Sequence, residues 1–142
     1  MTASPANEDP DALGAVQGLL QQGEVAKALE TLNGLADTAQ SSVMGQYMRG
    51  VCLRLTRDFA NAESALRQLV DSNPSYGRGF QELGHLYRDA NMPIEALNAY
   101  ATACHLNPGL TASWTAQRDL IGKSSPERAA QINQRLQWLE SL

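Results

Sequence analysis

The stretch Phe80-Gln81-Glu82-Leu83-Gly84-His85-Leu86-Tyr87-Arg88-Asp89-Ala90-Asn91-Met92-Pro93-Ile94-Glu95-Ala96-Leu97-Asn98-Ala99-Tyr100 reads as two amphipathic helices joined by a short turn. Phe80, Leu83, Leu86 and Tyr87 recur at three- and four-residue spacing. Asp89 to Met92 interrupts the pattern, and Ile94, Leu97 and Tyr100 resume it. Pro93 suits a first helical turn, where its missing N–H is no loss. Ala96 has counterparts at Ala28, Ala62 and Ala130, each 34 residues from the next, and the same offset links Gly50 with Gly84 and Asn73-Pro74 with Asn107-Pro108. Small residues and helix stops that recur in phase at this period specify a helical array.

Extending the frame in both directions places paired helices at roughly 9–22 and 25–38, 43–56 and 59–72, 77–90 and 93–106, and 111–122 and 126–140. Asn73-Pro74 and Asn107-Pro108 end their helices, because a residue preceding proline is pushed out of the helical region. Ser124 stands at capping-box spacing before Glu127, with Pro126 between them, so the last helix is expected to start at about residue 125. The expected organisation is a disordered leader over 1–8 and an array over 9–142, in repeats of about 9–42, 43–76, 77–110 and 111–142.

The 142 residues leave no room for a second domain beside four such units. Hydrophobic residues make up 43% and charged residues 18%, and no apolar run reaches the roughly 18–20 residues needed to span a bilayer. The N-terminal residues lack a secretory signal pattern, so a cytoplasmic location is the expectation. Cys52 and Cys104 are expected as free, buried thiols. A net charge of −4 argues against nucleic acid as a partner, since phosphate neutralisation needs a basic surface. Residues 1–42 hold Glu8, Asp9, Asp11, Glu24, Glu30 and Asp37 against Lys27 alone. The remainder is slightly basic, and an anionic partner would dock there.

The third unit carries Phe80, Leu83, Gly84, Tyr87, Ala96, Tyr100, Ala103 and Pro108 in the order of the tetratricopeptide pattern. The chain therefore resembles the tetratricopeptide repeat (TPR) family over about residues 9–142. The resemblance implies an all-α, right-handed superhelical solenoid of antiparallel helix pairs, with about four repeats. The second unit keeps Gly50, Leu53, Ala62, Leu66 and Pro74, yet has Gln46 and Arg49 where the pattern has an aromatic residue and a leucine. The first keeps Ala28 and Leu32 and carries Gln40 in place of the terminal proline. The fourth has Trp114, Ile121 and Ala130, but puts Arg118 at the small-residue position and Gln134 and Gln137 where apolar residues belong. Ile132, Leu136 and Leu139 form an apolar stripe on the final helix, with Trp138 and Leu142 beside it. That stripe suggests a fragment of a longer protein, or a homo-oligomer formed through the C-terminal helix.

No pattern for chemistry emerges. His85 and His105 have no partner at metal-ligand spacing, the cysteines sit in no nucleophile motif, and Gly77-Arg78-Gly79-Phe80 falls where the fold needs a turn into a helix. No cofactor, metal or catalytic residue is expected.

Family resemblance places ligand contacts on the first helix of each repeat. The positions it implies include Tyr47, Val51 and Arg54 in the second unit and Arg78, Gln81, His85 and Arg88 in the third, a basic stripe beside an apolar patch of Leu20, Met44, Tyr47 and Val51. Thr115, Asp119 and Lys123 would follow in the fourth. The chaperone-binding carboxylate clamp and the asparagine ladder of glycosyl-transferring relatives lack their residues here, with Leu13, Gln17, Met48 and Glu82 standing at clamp positions and Gly14, Met48, Glu82 and Ala116 at ladder positions. The expected function is a non-catalytic protein-interaction module that binds an acidic peptide or protein segment, with no membrane partner. The run from Gln81 to Ala90, then Leu-Asn-Pro and Ser113-Trp114, is also similar to repeats that precede a sulfotransferase domain in some bacterial proteins. That likeness implies a substrate-recruiting arm of a larger enzyme; a self-assembly element stacking through its ends is the third alternative.

Overall fold

A computed structural model describes residues 12–122 and 125–142, and these form helices without strands. The expected leader over 1–8, Lys123 and the Ser124 cap lie outside the described residues. In chain order the helices are α1 (Ala12–Gln21), α2 (Val25–Asn33), α3 (Asp37–Gln40), α4 (Val43–Leu55), α5 (Phe59–Ser72), α6 (Gly77–Asp89), α7 (Pro93–Leu106), α8 (Thr111–Ile121) and α9 (Pro126–Glu140). They divide into two compact units, residues 1–71 and 72–142.

The turns inside the first three helix pairs share one geometry. Gly23, Arg57 and Asn91, spaced 34 residues apart, take positive φ of 79°, 64° and 62°. The next amide in each turn reaches five residues back: Glu24 to Leu19 O, Asp58 to Leu53 O and Met92 to Tyr87 O, at 2.9, 2.8 and 2.8 Å. This is the Schellman ending, in which a left-handed residue lets the chain satisfy the orphan carbonyls of the first helix and turn directly into the second.

In the first unit Val16, Ala28, Leu32, Leu35, Met48 and Cys52 form the core, with Leu13, Leu20 and Tyr47 packed against it. Gly50 marks the closest helix approach, since a Cβ there would come within 2.3 Å of the buried Leu66 side chain. Helix α2 stops at Asn33, well short of the expected residue 38, and a one-turn helix α3 follows. Gln40, which occupies the position of the missing proline, turns its Nε2 onto the carbonyls of Asn33 and Leu35 and so caps the early stop. Ser42 then caps α4 by accepting from the Gly45 amide at 3.0 Å.

In the second unit a Cβ on Gly84 would meet the Tyr100 ring at 2.6 Å. Ala96, Ala99, Tyr100 and Ala103 are buried on the same face of α7. Asn107, ahead of Pro108, is extended at φ −143° and ends α7 as expected.

The fourth helix pair departs from the frame. Helix α8 begins 34 residues after α6, but α9 begins at Pro126, only 33 after Pro93. Ser125, where the frame would put the next left-handed residue, has φ −149° and donates to Ile121 O, four residues back instead of five. The buried residues of α9 are Ile132 and Leu136, 33 beyond Ala99 and Ala103. Ala130 is consequently exposed, and the expected burial of the fourth alanine is corrected. The cause is Arg118. A side chain of that size cannot sit at a glycine crossing, and its Nη1 instead donates across to Asn133 Oδ1 at 3.0 Å, one residue short of the in-frame partner. The expectation of an outward apolar stripe changes with it, because Ile132 and Leu136 pack inward with Ile121, Leu97 and Trp114. Trp138 at 52% and Leu142 at 84% exposure are the apolar side chains left at that end.

Candidate functional site

The stripes implied at the sequence level lie on first helices, one in each unit. On α6, Arg78, Gln81, His85 and Arg88 follow at steps of three and four residues and so share one helix face. Arg78 and Arg88 are exposed, while Gln81 and His85 are half-buried. The half-buried pair is anchored by its own unit. Gln81 Oε1 accepts from the fully buried Ser113 hydroxyl at 2.7 Å, and His85 Nδ1 lies 2.6 Å from the hydroxyl of Tyr100, whose ring it meets edge-on. Arg88 shares its charge with Asp89 at 3.3 Å. The result is a rigid polar floor between two exposed guanidinium groups. On α4, Tyr47, Val51 and Arg54 occupy the corresponding register positions, all half-buried, beside the exposed Met44 and Leu55. Met48 and Glu82, which stand where a carboxylate clamp or asparagine ladder would need polar contacts, are both 4% exposed and therefore face the interior.

Sequence reading missed two clusters. In the first unit, Asp37, Gln40, Ser41, Gln46, Arg49 and Gln68 surround an open cleft of about 390 Å³. In the second, the Arg135 guanidinium lies over the rings of both Trp114 and Trp138, at 5.6 and 5.2 Å, beside a cleft of about 340 Å³ walled by Cys104, His105, Pro108 and Gln117. The indole of Trp114 is fixed by donating to Pro108 O at 2.8 Å. Departures from the repeat pattern were the available signal: Gln40, Gln46 and Arg49 all line the first cleft.

Both cysteines are free and buried. Burial pushes each thiol up to about 11, partly opposed by Arg49 at Cys52 and by the Gln117 amide at Cys104, so both stay protonated at neutral pH. Neither is poised as a nucleophile. Burial likewise raises the Tyr76 hydroxyl, against the nearby Arg78 charge. Among the described residues no group of three or more His, Cys, Asp or Glu could hold a metal ion, and no helix is long and apolar enough to cross a membrane.

Comparison with solved structures agrees with this geometry. The structure of MamA superposes with a TM-score of 0.78 at 19% identity, over 96% of this chain and 82% of that one. Its fold is that of the TPR-type helical repeats. MamA 41-end from Desulfovibrio magneticus RS-1 gives 0.77 at 19% identity, over 94% and 76%, and MamA MSR-1 C2 gives 0.70 at 18%, over 94% and 80%. No protein-family model and no curated protein sequence matches the chain. These MamA structures lend no support to the sulfotransferase likeness.

Proposed function

We propose that the chain is a non-catalytic protein-interaction module whose first helices receive an acidic, extended or helical segment of a partner protein. The observation that carries this reading is the face of α6, where exposed Arg78 and Arg88 bracket Gln81 and His85, whose side chains are already held by Ser113 and Tyr100. Side chains fixed before binding lose little rotamer freedom on contact, and two flanking cations supply attraction and orientation. The matching register of Tyr47, Val51 and Arg54 on α4 adds a second stripe of mixed apolar and basic character. Raised thiol pKa values and the absence of a metal-ligating group among the described residues fit binding better than chemistry.

The test is a paired charge reversal. Arg78→Glu with Arg88→Glu should abolish capture of an acidic partner segment while helicity is retained. Arg67→Glu with Arg128→Glu, on second helices, changes net charge equally and should leave capture intact. Binding should also weaken as salt rises past about 0.1 M, where the screening length falls to about 10 Å. Equal loss from both pairs would reduce the effect to net charge and refute the face assignment.

A further inference from the structure

Three positions at which the first half of the chain abandons the repeat pattern converge on one place. Gln40 replaces a proline, Gln46 an aromatic residue and Arg49 a leucine, and all three line the 390 Å³ cleft of the first unit with Asp37, Ser41 and Gln68. Two of these substitutions put polar groups where the scaffold gains most from apolar ones, a cost that stability alone does not explain.

The polar groups are held in place but incompletely used. Arg49 donates through Nη1 to Asn33 Oδ1 and through Nη2 to Gln40 Oε1 at 2.7 Å, so the half-buried cation is held by two neutral amide oxygens and by no carboxylate. A guanidinium carries five N–H donors, and these two bonds leave three for other acceptors. Gln46 Nε2 donates to Ser41 O at 2.6 Å, which fixes its amide orientation, and Gln46 Oε1 is buried with no hydrogen-bond partner. A buried acceptor left unmade costs about 1–3 kcal/mol. The cleft thus offers a fixed cation with spare donors and, one helical turn away on α4, an acceptor in need of a donor. Asp37 also lines the wall without an ion pair to Arg49, so the local field suits one negative charge rather than two.

We propose that this cleft binds a single aspartate residue of a peptide, its side-chain carboxylate on Arg49 and its main-chain N–H on Gln46 Oε1. An aspartate presents a single charge and a donor a few ångströms apart, which matches both unused groups, and a charge-assisted pair with guanidinium is the stronger of the two contacts. The site is separate from the α6 face and does not depend on it.

The experiment titrates the isotope-labelled full chain with acetyl-Gly-Asp-Gly-amide and follows side-chain amide and guanidinium signals by NMR. The expected result is saturable shifts at Gln46 and Arg49, at least tenfold weaker with acetyl-Gly-Asn-Gly-amide or inorganic phosphate, and lost in Arg49→Gln. Gln46→Leu should weaken the aspartate peptide while leaving any residual attraction to anions unchanged. The peptide comparison needs no variant, so it stands even if Arg49→Gln fails to fold. No shift at cleft residues, equal shifts from the asparagine peptide, or phosphate binding as tightly as the aspartate peptide would each overturn the proposal. Charge reversal at Arg78 and Arg88 should leave these shifts intact, which separates this site from the α6 face.

Discussion

Adding the same methyl group at two glycines should change stability in opposite directions. At Gly84 a Cβ would stand 2.6, 2.6 and 2.8 Å from three atoms of the Tyr100 ring. That ring cannot swing aside, because Tyr100 is fully buried and its hydroxyl is engaged by His85. Forcing a methyl into such a contact costs about 2–3 kcal/mol, and alanine's better helix propensity returns about 1, leaving Gly84→Ala destabilised by about 1–2 kcal/mol. Gly18, inside α1, has nothing within 4 Å of the same added atom. There only the propensity gain acts, so Gly18→Ala should stabilise by about 0.5–1 kcal/mol. Chains of this size shift by about 2–4 °C per kcal/mol. Circular dichroism melts should therefore show Gly84→Ala falling by roughly 2–8 °C and Gly18→Ala rising by roughly 1–4 °C, with urea midpoints moving the same way. If both variants shift in one direction, the close approach of α6 to α7 does not control stability at Gly84.

The out-of-phase fourth pair makes a second comparison possible: Ala96→Leu should cost about 1–3 kcal/mol by overpacking a fully buried crossing, whereas Ala130→Leu should stay within about 0.5 kcal/mol on an exposed face. Comparable losses at both sites would restore the unbroken 34-residue frame. Both cysteines have folded pKa values raised to about 11, so their contribution to stability is complete below the ordinary thiol range and should decline from about pH 9 to 11, as the unfolded chain ionises first. Urea midpoints followed over that range should fall, and less so in a variant with Cys52→Ala and Cys104→Ala; a flat profile would show the thiols are not shielded. At neutral pH a thiol reagent should modify the native chain far more slowly than the urea-unfolded chain. Arg57→Gly removes both a left-handed non-glycine residue and the guanidinium that lies 4.8 Å above Phe59, two effects of about 1 kcal/mol each and opposite sign, so its melt should shift by less than about 3 °C.

The helix pairs were legible because periodicity is a local property that each repeat states again. Val43, Phe59, Gly77, Pro93, Thr111 and Pro126 all start helices at the expected places. The short α2 was hidden because Gln40 acts through a side-chain cap, which no spacing rule encodes. The phase change at α9 was half visible: Arg118, Gln134 and Gln137 stood out as misfits, and Ile132, Leu136 and Leu139 were already in sequence at the shifted positions. Frame matching favoured Ala130 because a lone alanine fits a buried or an exposed site equally well. For the stripe on α6, spacing gave the shared helix face of Arg78, Gln81, His85 and Arg88. The ties of Gln81 to Ser113 and of His85 to Tyr100 needed coordinates, because they join residues 32 and 15 positions apart. The polar cleft of the first unit likewise draws on three helices, and only folding brings Asp37, Arg49 and Gln68 to one wall.

The one-residue shortening before α9 ties connection length to helix composition. Each residue added to or removed from the chain ahead of a helix turns all of its following side chains by about 100° around the axis. In α9 the turning has been matched by the placement of Ile132 and Leu136, so neither change is tolerable alone. Lengthening the link between Gly122 and Ser125 by one residue would bring Gln134 and Gln137 round to the interior, whereas lengthening it by four would return the helix to within about 40° of its present setting. The last pair is therefore more tolerant of a long insertion than of a short one.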